Sequence, residues 1–225
     1  MTSFHNSAKN FLFLLVFILS GTALAVIITG LSAGTELTPF NTVIESAILH
    51  IRSPFLTSMM VGVTNFGSPI TLLIASAILA AVLIFNKETY DVLLFMFSML
   101  ISMAVLIILK DTFHLARPDA VLVGISGWSF PSGHATVSTA FFFTTAYAFF
   151  NWPKTTIGKS ILVILCVVGA SLVSFSRIYL GAHWALDILA GIALGLLTVS
   201  FVALIFNIFL EERVSLHRTR RKKLL

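Results

Sequence analysis

The charged residues of this 225-residue chain are few and unevenly spread. Only 10 % of the residues are Asp, Glu, Lys or Arg, whereas soluble domains carry about 25 %. Six intervals contain no charged residue, and they are 10–35, 53–86, 92–109, 120–153, 160–176 and 188–210. Because a membrane-spanning helix needs about 20 mostly apolar residues, each interval has room for one span. The chain is therefore predicted to be an integral membrane protein.

The same intervals favour helices over the strands of a membrane barrel, because they lack the alternation of apolar and polar residues typical of barrel strands. The predicted fold class is all-α, a polytopic membrane protein with six transmembrane helices and an additional helical segment at the outer interface. The spans are predicted near 11–33, 68–86, 91–109, 132–151, 160–176 and 185–209. Internal repeats are not evident, so residues 1–225 are interpreted as a single integral-membrane domain.

The first span has an alternative interpretation as a cleaved signal peptide. Ala23, Leu24 and Ala25 resemble a signal-peptidase site. The apolar run continues through Val26 and Ile27, however, which makes it longer than a typical signal core. A retained span is the favoured prediction.

The basic residues predict the orientation of the chain. With both termini in the cytoplasm, ten of the fourteen Lys and Arg residues lie inside, six of them in the basic tail 211–225. The outer side then receives only Arg52, Lys110, Arg117 and Arg177. Since cytoplasmic segments normally carry the excess of Lys and Arg, this orientation is preferred. The tail is explained by topology alone, and attraction to anionic lipids is a smaller addition.

Three polar segments lie at the outer ends of the predicted spans. The first runs from Lys110 to Pro118, the second is Pro-Ser-Gly-His at 131–134, and the third runs from Ser176 to Asp187. Cations at bilayer depth are costly, so a cluster of them near one membrane face indicates function. The predicted topology brings all three segments to the same face.

The residue types in these segments suit a phosphate group. Arg117 and Arg177 carry planar guanidinium groups that match phosphate oxygens, and Lys110 adds a third cation. Ser132 and Gly133 follow a proline and are typical of a helix start, where free N–H groups bind anions. The sequence therefore predicts a phosphate-binding site on the outer face.

Two histidines are candidates for the nucleophile and the general acid. His183 and Asp187 are four residues apart and are predicted to share a helical face, where the carboxylate fixes the imidazole tautomer. The other imidazole nitrogen is then free to attack phosphorus. His134 is the candidate general acid for the departing oxygen. Because the two histidines need opposite protonation states, a bell-shaped dependence of activity on pH is expected.

The motifs Lys-x6-Arg-Pro, Pro-Ser-Gly-His and Ser-Arg-x5-His-x3-Asp, between residues 110 and 187, resemble the signature of the type 2 phosphatidic acid phosphatase family. All defined positions of that signature are present in order, and the six-helix layout extends the resemblance over nearly the whole chain. The resemblance implies that Lys110, Arg117, Ser132, Gly133 and Arg177 hold the phosphate. It also implies that His134 protonates the leaving group, that His183 forms a phosphohistidine supported by Asp187, and that no metal ion or other cofactor takes part.

The predicted function is hydrolysis of a lipid phosphate or pyrophosphate at the non-cytoplasmic, periplasmic face of a bacterial plasma membrane. The sequence does not separate undecaprenyl pyrophosphate, phosphatidylglycerophosphate and phosphatidic acid as substrates. Two alternatives stay open, which are transfer of the phosphate to an acceptor other than water and, less favoured, non-catalytic binding or transport of a lipid phosphate. The predicted partner is a lipid phosphate within the bilayer and not a nucleic acid, while the oligomeric state is left open.

Three regions have two interpretations each. His114 either lines the site on one helical face with Lys110 and Arg117 or, as we favour, lies at the periphery. Segment 37–66 is predicted to contain a helix on the outer leaflet, which either guides lipid to the site or, preferably, anchors the fold. Loop 119–130 covers the approach to the site, where it either acts as a mobile lid or places Trp128 in the interfacial aromatic belt.

Overall fold

The computed structural model describes residues 2–33 and 38–222, with side chains described for residues 9–33 and 39–208. This part of the chain is built from α-helices and contains no strand, so the all-α prediction is confirmed. The helices are α1 (Thr2–Ser32), α2 (Thr38–Ile51), α3 (Pro54–Phe66), α4 (Pro69–Phe85), α5 (Thr89–Phe113), α6 (Gly133–Ala148), α7 (Thr156–Tyr179) and α8 (Ala185–Lys222).

Several helices are long and apolar enough to cross a membrane. Four segments meet both conditions, and they are Lys9–Ser32, Thr89–Phe113, Thr156–Tyr179 and Ala185–Ile208. The pair α3 and α4 meets them jointly but is bent by 49°. At 16 residues, α6 is about 24 Å long, which is less than the hydrocarbon thickness. The chain is a multi-pass membrane protein, and the count of six spans stays a prediction.

Helix α6 lies at the centre of the bundle and packs against α5, α7 and α8. Two glycines of α8 allow this close approach. A Cβ atom built on Gly191 would lie 2.8 Å from the Ser132 carbonyl oxygen, and one built on Gly195 would lie 2.8 Å from that of Thr136. Small residues of this kind let two backbones meet in a membrane bundle. The start of α8 is thereby held against the start of α6.

The break between α3 and α4 is formed by Gly67, Ser68 and Pro69. A Cβ atom on Gly67 would lie only 2.2 Å from a methyl group of Val173 in α7, so any larger residue would force the two segments apart. The Ser68 side chain then caps α4 by accepting the Thr71 N–H at 3.1 Å. The bend therefore brings the end of α3 against α7 inside the bundle.

Helix α2 occupies most of the first half of segment 37–66. Residue 37 lies outside the described residues, and the helix runs from Thr38 to Ile51. Of the predicted apolar stripe, Ile48 is buried against Tyr179 and Leu180, and Ile44 packs beside it. The other half of the stripe is exposed, with Val43 at 65 % and Leu49 at 46 %. Helix α2 thus covers the turn that follows α7, and its predicted place on the outer leaflet stays a prediction.

Two further predictions can be placed on the helices. Leu24, in the possible signal-peptidase site, is buried in the main core within α1. The backbone of α8 continues through Lys222 into the basic tail. The side chains of the tail lie outside the described residues.

Candidate active site

Four helix ends carry the predicted site residues, and direct hydrogen bonds join three of them. The Ser132 N–H, at the start of α6, donates to the Asp187 carbonyl in α8 over 3.0 Å. Lys110, near the end of α5, donates from Nζ to the Ser129 carbonyl at 3.3 Å, just before α6. Arg117 donates from Nη1 to the Ala182 carbonyl at 2.6 Å, in the turn before α8. The three motifs therefore meet at one end of the bundle.

His183 lies in the turn between α7 and α8, two residues before the first helical residue of α8. The turn depends on Gly181, whose φ of +68° is strained for any other residue and whose missing Cβ leaves room for the Ala120 carbonyl oxygen. His183 Nδ1 lies 3.3 Å from Asp187 Oδ2, and that oxygen also accepts the Trp184 N–H at 2.9 Å. Asp187 thus holds the helix start and the imidazole together.

Arg117 determines the tautomer of His183. Its Nη1 lies 3.2 Å from His183 Nε2. Because a guanidinium can only donate, Nε2 must be the accepting, unprotonated nitrogen. The ring proton is therefore on Nδ1, which faces Asp187. This is the protonation pattern that a histidine nucleophile requires, with Nε2 as the reactive atom.

The remaining donors of Arg117 are directed at the loop before α6. Nε donates to the Gly127 carbonyl at 2.9 Å, and Nη2 donates to those of Trp128 at 3.1 Å and Ser126 at 3.3 Å. Lys110 Nζ also donates to the Trp128 carbonyl, at 2.8 Å. Two cations of the site are thus oriented by backbone carbonyls. Within the described side chains, no carboxylate forms a salt bridge with either of them.

Arg177 and His134 meet at Thr64, in the last turn of α3. Arg177 is buried near the end of α7 and donates from Nη1 to Thr64 Oγ1 at 2.6 Å. The His134 imidazole lies beside the Thr64 backbone. Arg177 Nε is also buried and has no acceptor among the described protein atoms. Since buried donors normally have partners, this one suits an anionic ligand.

Ser132 and Gly133 form the start of α6. The Ser132 hydroxyl accepts the Ala135 N–H at 3.4 Å and so caps the helix, as expected for a serine at this position. A Cβ atom on Gly133 would meet only Leu106, at an ordinary 3.4 Å. Packing therefore does not require glycine at 133. Close approach of a ligand to the backbone gives a reason for it.

The environment of His183 favours its neutral form. Burial lowers the pKa of the imidazole to about 4, and the neighbouring cations Arg117 and Arg177 act in the same direction. The hydrogen bond and charge of Asp187 oppose this shift without cancelling it. His183 is therefore unprotonated at neutral pH, in agreement with the tautomer that Arg117 selects.

His114 does not share a helical face with Arg117. Helix α5 ends at Phe113, and His114 is its C-cap residue with a left-handed φ of +46°. Its ring makes an edge contact with Trp128, with 4.7 Å between the ring centroids. The chain leaves the helix at His114, and Pro118 disfavours a helical conformation at Arg117. The structure thus places His114 against the loop and beside the site.

Two residues of the site lie outside the three motifs and were not predicted. Ser129 donates its hydroxyl to Asp187 Oδ2, and Thr64 holds Arg177. Ser129 lies three residues before Ser132, and this closeness to a motif was its only sequence signal. Thr64 lies in an uncharged interval, 113 positions from Arg177, and had none.

A site for a metal ion is not formed by the described residues, since no three His, Cys, Asp or Glu side chains among them converge. The fold and the site define a helical membrane protein with a histidine–aspartate pair beside three cations at one end of the bundle. Such a site is suited to phosphate chemistry.

Comparison with known proteins agrees with this class. The model of the PAP2 superfamily matches residues 91–210. Phosphatidylglycerophosphatase B of Bacillus subtilis is 36 % identical over 156 residues, which cover 68 % of this chain and 77 % of the relative. An undecaprenyl-diphosphatase of Sulfolobus acidocaldarius is 29 % identical over 176 residues, which cover 73 % of this chain and 78 % of that protein.

The fold is also similar to a solved structure. A crystal structure of a transmembrane PAP2-type phosphatidylglycerolphosphate phosphatase from Bacillus subtilis matches with a TM-score of 0.74 and 32 % identity, covering 85 % of this chain and 94 % of that one. The chain therefore belongs to the PAP2 superfamily, the family that its three motifs predict. Its relatives are phosphatases of lipid phosphates.

Proposed function

We propose that this protein hydrolyses a lipid phosphate or pyrophosphate through a phosphohistidine on His183. The observation that carries the proposal is the pairing of the imidazole, with Nδ1 facing Asp187 and Nε2 facing Arg117. A phosphate oxygen that replaces Nε2 as the acceptor of Arg117 Nη1 lies next to the unprotonated nitrogen. Of the arrangements that the described residues offer, this one joins a nucleophile to an anion site most directly.

The reaction has two steps. His183 Nε2 first attacks phosphorus, so that a P–N bond forms while the P–O bond to the leaving group breaks, and His134 gives its proton to the departing oxygen. Water then attacks phosphorus and gives a proton to His134, and the P–N bond breaks to release inorganic phosphate and restore His183. Asp187 keeps the Nδ1 proton in place and stabilises positive charge on the ring throughout.

Five residues hold the phosphate in this mechanism. Lys110, Arg117 and Arg177 stabilise the charge on its oxygens, and their effect increases where charge develops in the transition state. Gly133 presents its N–H at the positive dipole end of α6, and Ser132, whose own N–H is bonded to the Asp187 carbonyl, presents its hydroxyl. The buried, unpaired Nε of Arg177 supports its role, and the lack of a packing reason for glycine at 133 supports that of Gly133. No step uses a metal ion.

The topology proposed with this mechanism has six spans within one integral domain. Helices α1, α5, α7 and α8 are four of them, the bent pair α3 and α4 supplies a fifth, and the short α6 completes the set. Both termini lie in the cytoplasm, and the site faces the outer side of a plasma membrane. A substrate with a tail in the bilayer can then present its phosphate at the helix ends.

The substrate class can be tested with purified protein in mixed micelles. We expect release of inorganic phosphate from undecaprenyl pyrophosphate, phosphatidylglycerophosphate or phosphatidic acid, at a kcat/KM at least about 10-fold above that for soluble esters of the same head group, because apolar tail contacts contribute binding energy. Excess chelator is included in a parallel reaction and should leave the rate unchanged. A preference for the soluble esters, or a loss of rate that magnesium restores, would contradict the proposal.

The pH dependence gives a second test of the mechanism. His183 must be neutral to attack, so kcat/KM should fall as pH drops through the His183 pKa, which burial lowers to about 4. The acidic limb is therefore expected well below 6.5, the usual pKa of histidine. The basic limb reports loss of the proton from the general acid. The second ionisation of the substrate phosphate, near pH 6, is measured separately and divided out. An acidic limb that then remains near 6.5 would argue against His183 as the buried nucleophile.

A further inference from the structure

Ser129 occupies an unusual place beside the nucleophile. It lies in the loop between α5 and α6, is fully buried, and is fixed by its own backbone, because its N–H donates to the Leu115 carbonyl at 2.8 Å and its carbonyl accepts from Lys110. Its hydroxyl donates to Asp187 Oδ2 and lies 3.4 Å from His183 Nδ1. The side chain thus touches both members of the histidine–aspartate pair.

The directions of these hydrogen bonds follow from the donors available. Asp187 Oδ2 receives the Ser129 hydroxyl, the Trp184 N–H and the His183 Nδ1–H. Because the hydroxyl hydrogen of Ser129 is directed to the carboxylate, its oxygen lone pairs are available to the Nδ1–H. His183 therefore shares one proton between Asp187 Oδ2 and Ser129 Oγ.

We propose that Ser129 is a positioning residue for His183, which holds the Asp187 carboxylate in place and accepts part of the Nδ1–H bond. This inference rests on the proposed function, because it concerns the residue assigned as nucleophile. Ser129 lies outside the three motifs, and 58 positions separate it from Asp187. Its contribution is to fix the ring orientation and to limit how strongly Asp187 stabilises the imidazolium.

Removal of the hydroxyl should change the chemistry of His183 in a defined direction. An Asp187 carboxylate with one donor fewer binds the Nδ1–H more strongly, and because a charged acceptor outweighs the neutral Ser129 oxygen that is also lost, the protonated ring is stabilised. The acidic limb of kcat/KM should therefore move to higher pH in Ser129→Ala. The other groups that face His183, which are Arg117, Arg177 on α7 and His134 on α6, are unchanged in this variant, so the shift reports the loss of the hydroxyl.

The experiment compares Ser129→Ala and Ser129→Cys with the wild type, using a lipid phosphate that the wild type hydrolyses. Ser129→Ala should lower kcat about 10-fold or more, as expected for a lost hydrogen bond to a charged group, with KM within about twofold. Its acidic limb should rise by about half a pH unit or more. Ser129→Cys keeps a weak donor and should lie between the two.

Ser138→Ala is the matched control. Ser138 is also fully buried, and its hydroxyl donates only to a backbone carbonyl of its own helix, that of Ala135 at 3.3 Å. We expect kcat and the acidic limb of this variant to stay near those of the wild type. A kcat of Ser129→Ala within twofold of the wild type, or an unmoved acidic limb, would overturn the inference.

Misfolding of the variant and failure of the proposed function can each be distinguished from failure of this inference. If Ser129→Ala does not fold, as judged by its melting temperature, the limb of Ser129→Cys decides, and an unmoved limb again overturns the inference. If His183→Ala keeps its phosphatase activity, the proposed function fails first, and the role of Ser129 falls with it. A folded Ser129→Ala with wild-type kinetics beside an inactive His183→Ala would refute the role of Ser129 alone.

Discussion

Replacement of His183 by alanine is expected to reduce lipid phosphate hydrolysis by at least about 10³-fold, because the covalent step loses its nucleophile. The fold should persist, since His183 lies in a turn outside the helices and Asp187 keeps its hydrogen bonds with Trp184 and Ser129. The measurement is release of inorganic phosphate from the lipid substrate in micelles, together with the melting temperature of each variant.

A phosphoenzyme assay makes this test specific. After brief reaction with substrate labelled on the phosphate, the wild type should carry label that is stable in base and labile in acid, as a phosphohistidine is, and His183→Ala should carry none. His50→Ala serves as control, because His50 lies on α2 and contacts the Ser46 carbonyl instead of the site. Phosphate release retained by His183→Ala would overturn the mechanism and favour a protein that only binds lipid phosphates.

Replacement of Arg117 by lysine is expected to lower kcat by about 10²-fold despite the conserved charge. A lysine cannot hold three loop carbonyls and the Ala182 carbonyl and also direct an N–H at the phosphate beside His183 Nε2. Arg177→Lys should have a similar effect, because the guanidinium reaches Thr64 with one nitrogen and leaves Nε for the ligand.

Arg52→Lys is the matched comparison for both variants. Arg52 also donates to backbone carbonyls, those of Tyr179 at 3.0 Å and Ala120 at 3.2 Å, so its replacement removes a structural guanidinium of the same kind. If Arg117 only holds its loop, Arg117→Lys and Arg52→Lys should show similar losses of melting temperature and similar kcat values. We expect their kcat values to differ, with a large loss of kcat in Arg117→Lys and Arg177→Lys and not in Arg52→Lys.

Much of this architecture could be predicted from the six intervals that contain no charged residue. The uncharged intervals locate most of the helices, and the motifs indicate the family because they sit at helix ends that a six-span topology places on one face. Local geometry was less accessible. His183 and Asp187 were expected on one helical face, whereas His183 precedes α8 and pairs with Asp187 because the carboxylate caps the helix start. The spacing of four is compatible with both arrangements.

The contacts that complete the site depend on the paths of irregular segments, which periodicity does not describe. Arg117 reaches the Ala182 carbonyl across 65 positions through a loop without regular structure. Thr64 reaches Arg177 only because α3 and α4 bend at Gly67, and a sequence pattern gives no angle for such a break. Ser129 lies beside Asp187 because the loop enters α6 while its Lys110 and Leu115 contacts hold it inward. These contacts depend on how the helices and loops pack together, which the local sequence does not specify.

The use of carbonyl oxygens to orient Arg117 has a consequence for the ionic state of the protein. A carboxylate would orient the guanidinium and also cancel its charge, whereas a carbonyl orients it and leaves the charge intact. Lys110 is held in the same way. One end of the bundle therefore carries cationic charge whose counter-ions come from the surrounding electrolyte. On the proposed function, a lipid head group would replace those ions when it binds, so its affinity should fall as the salt concentration at the membrane surface increases.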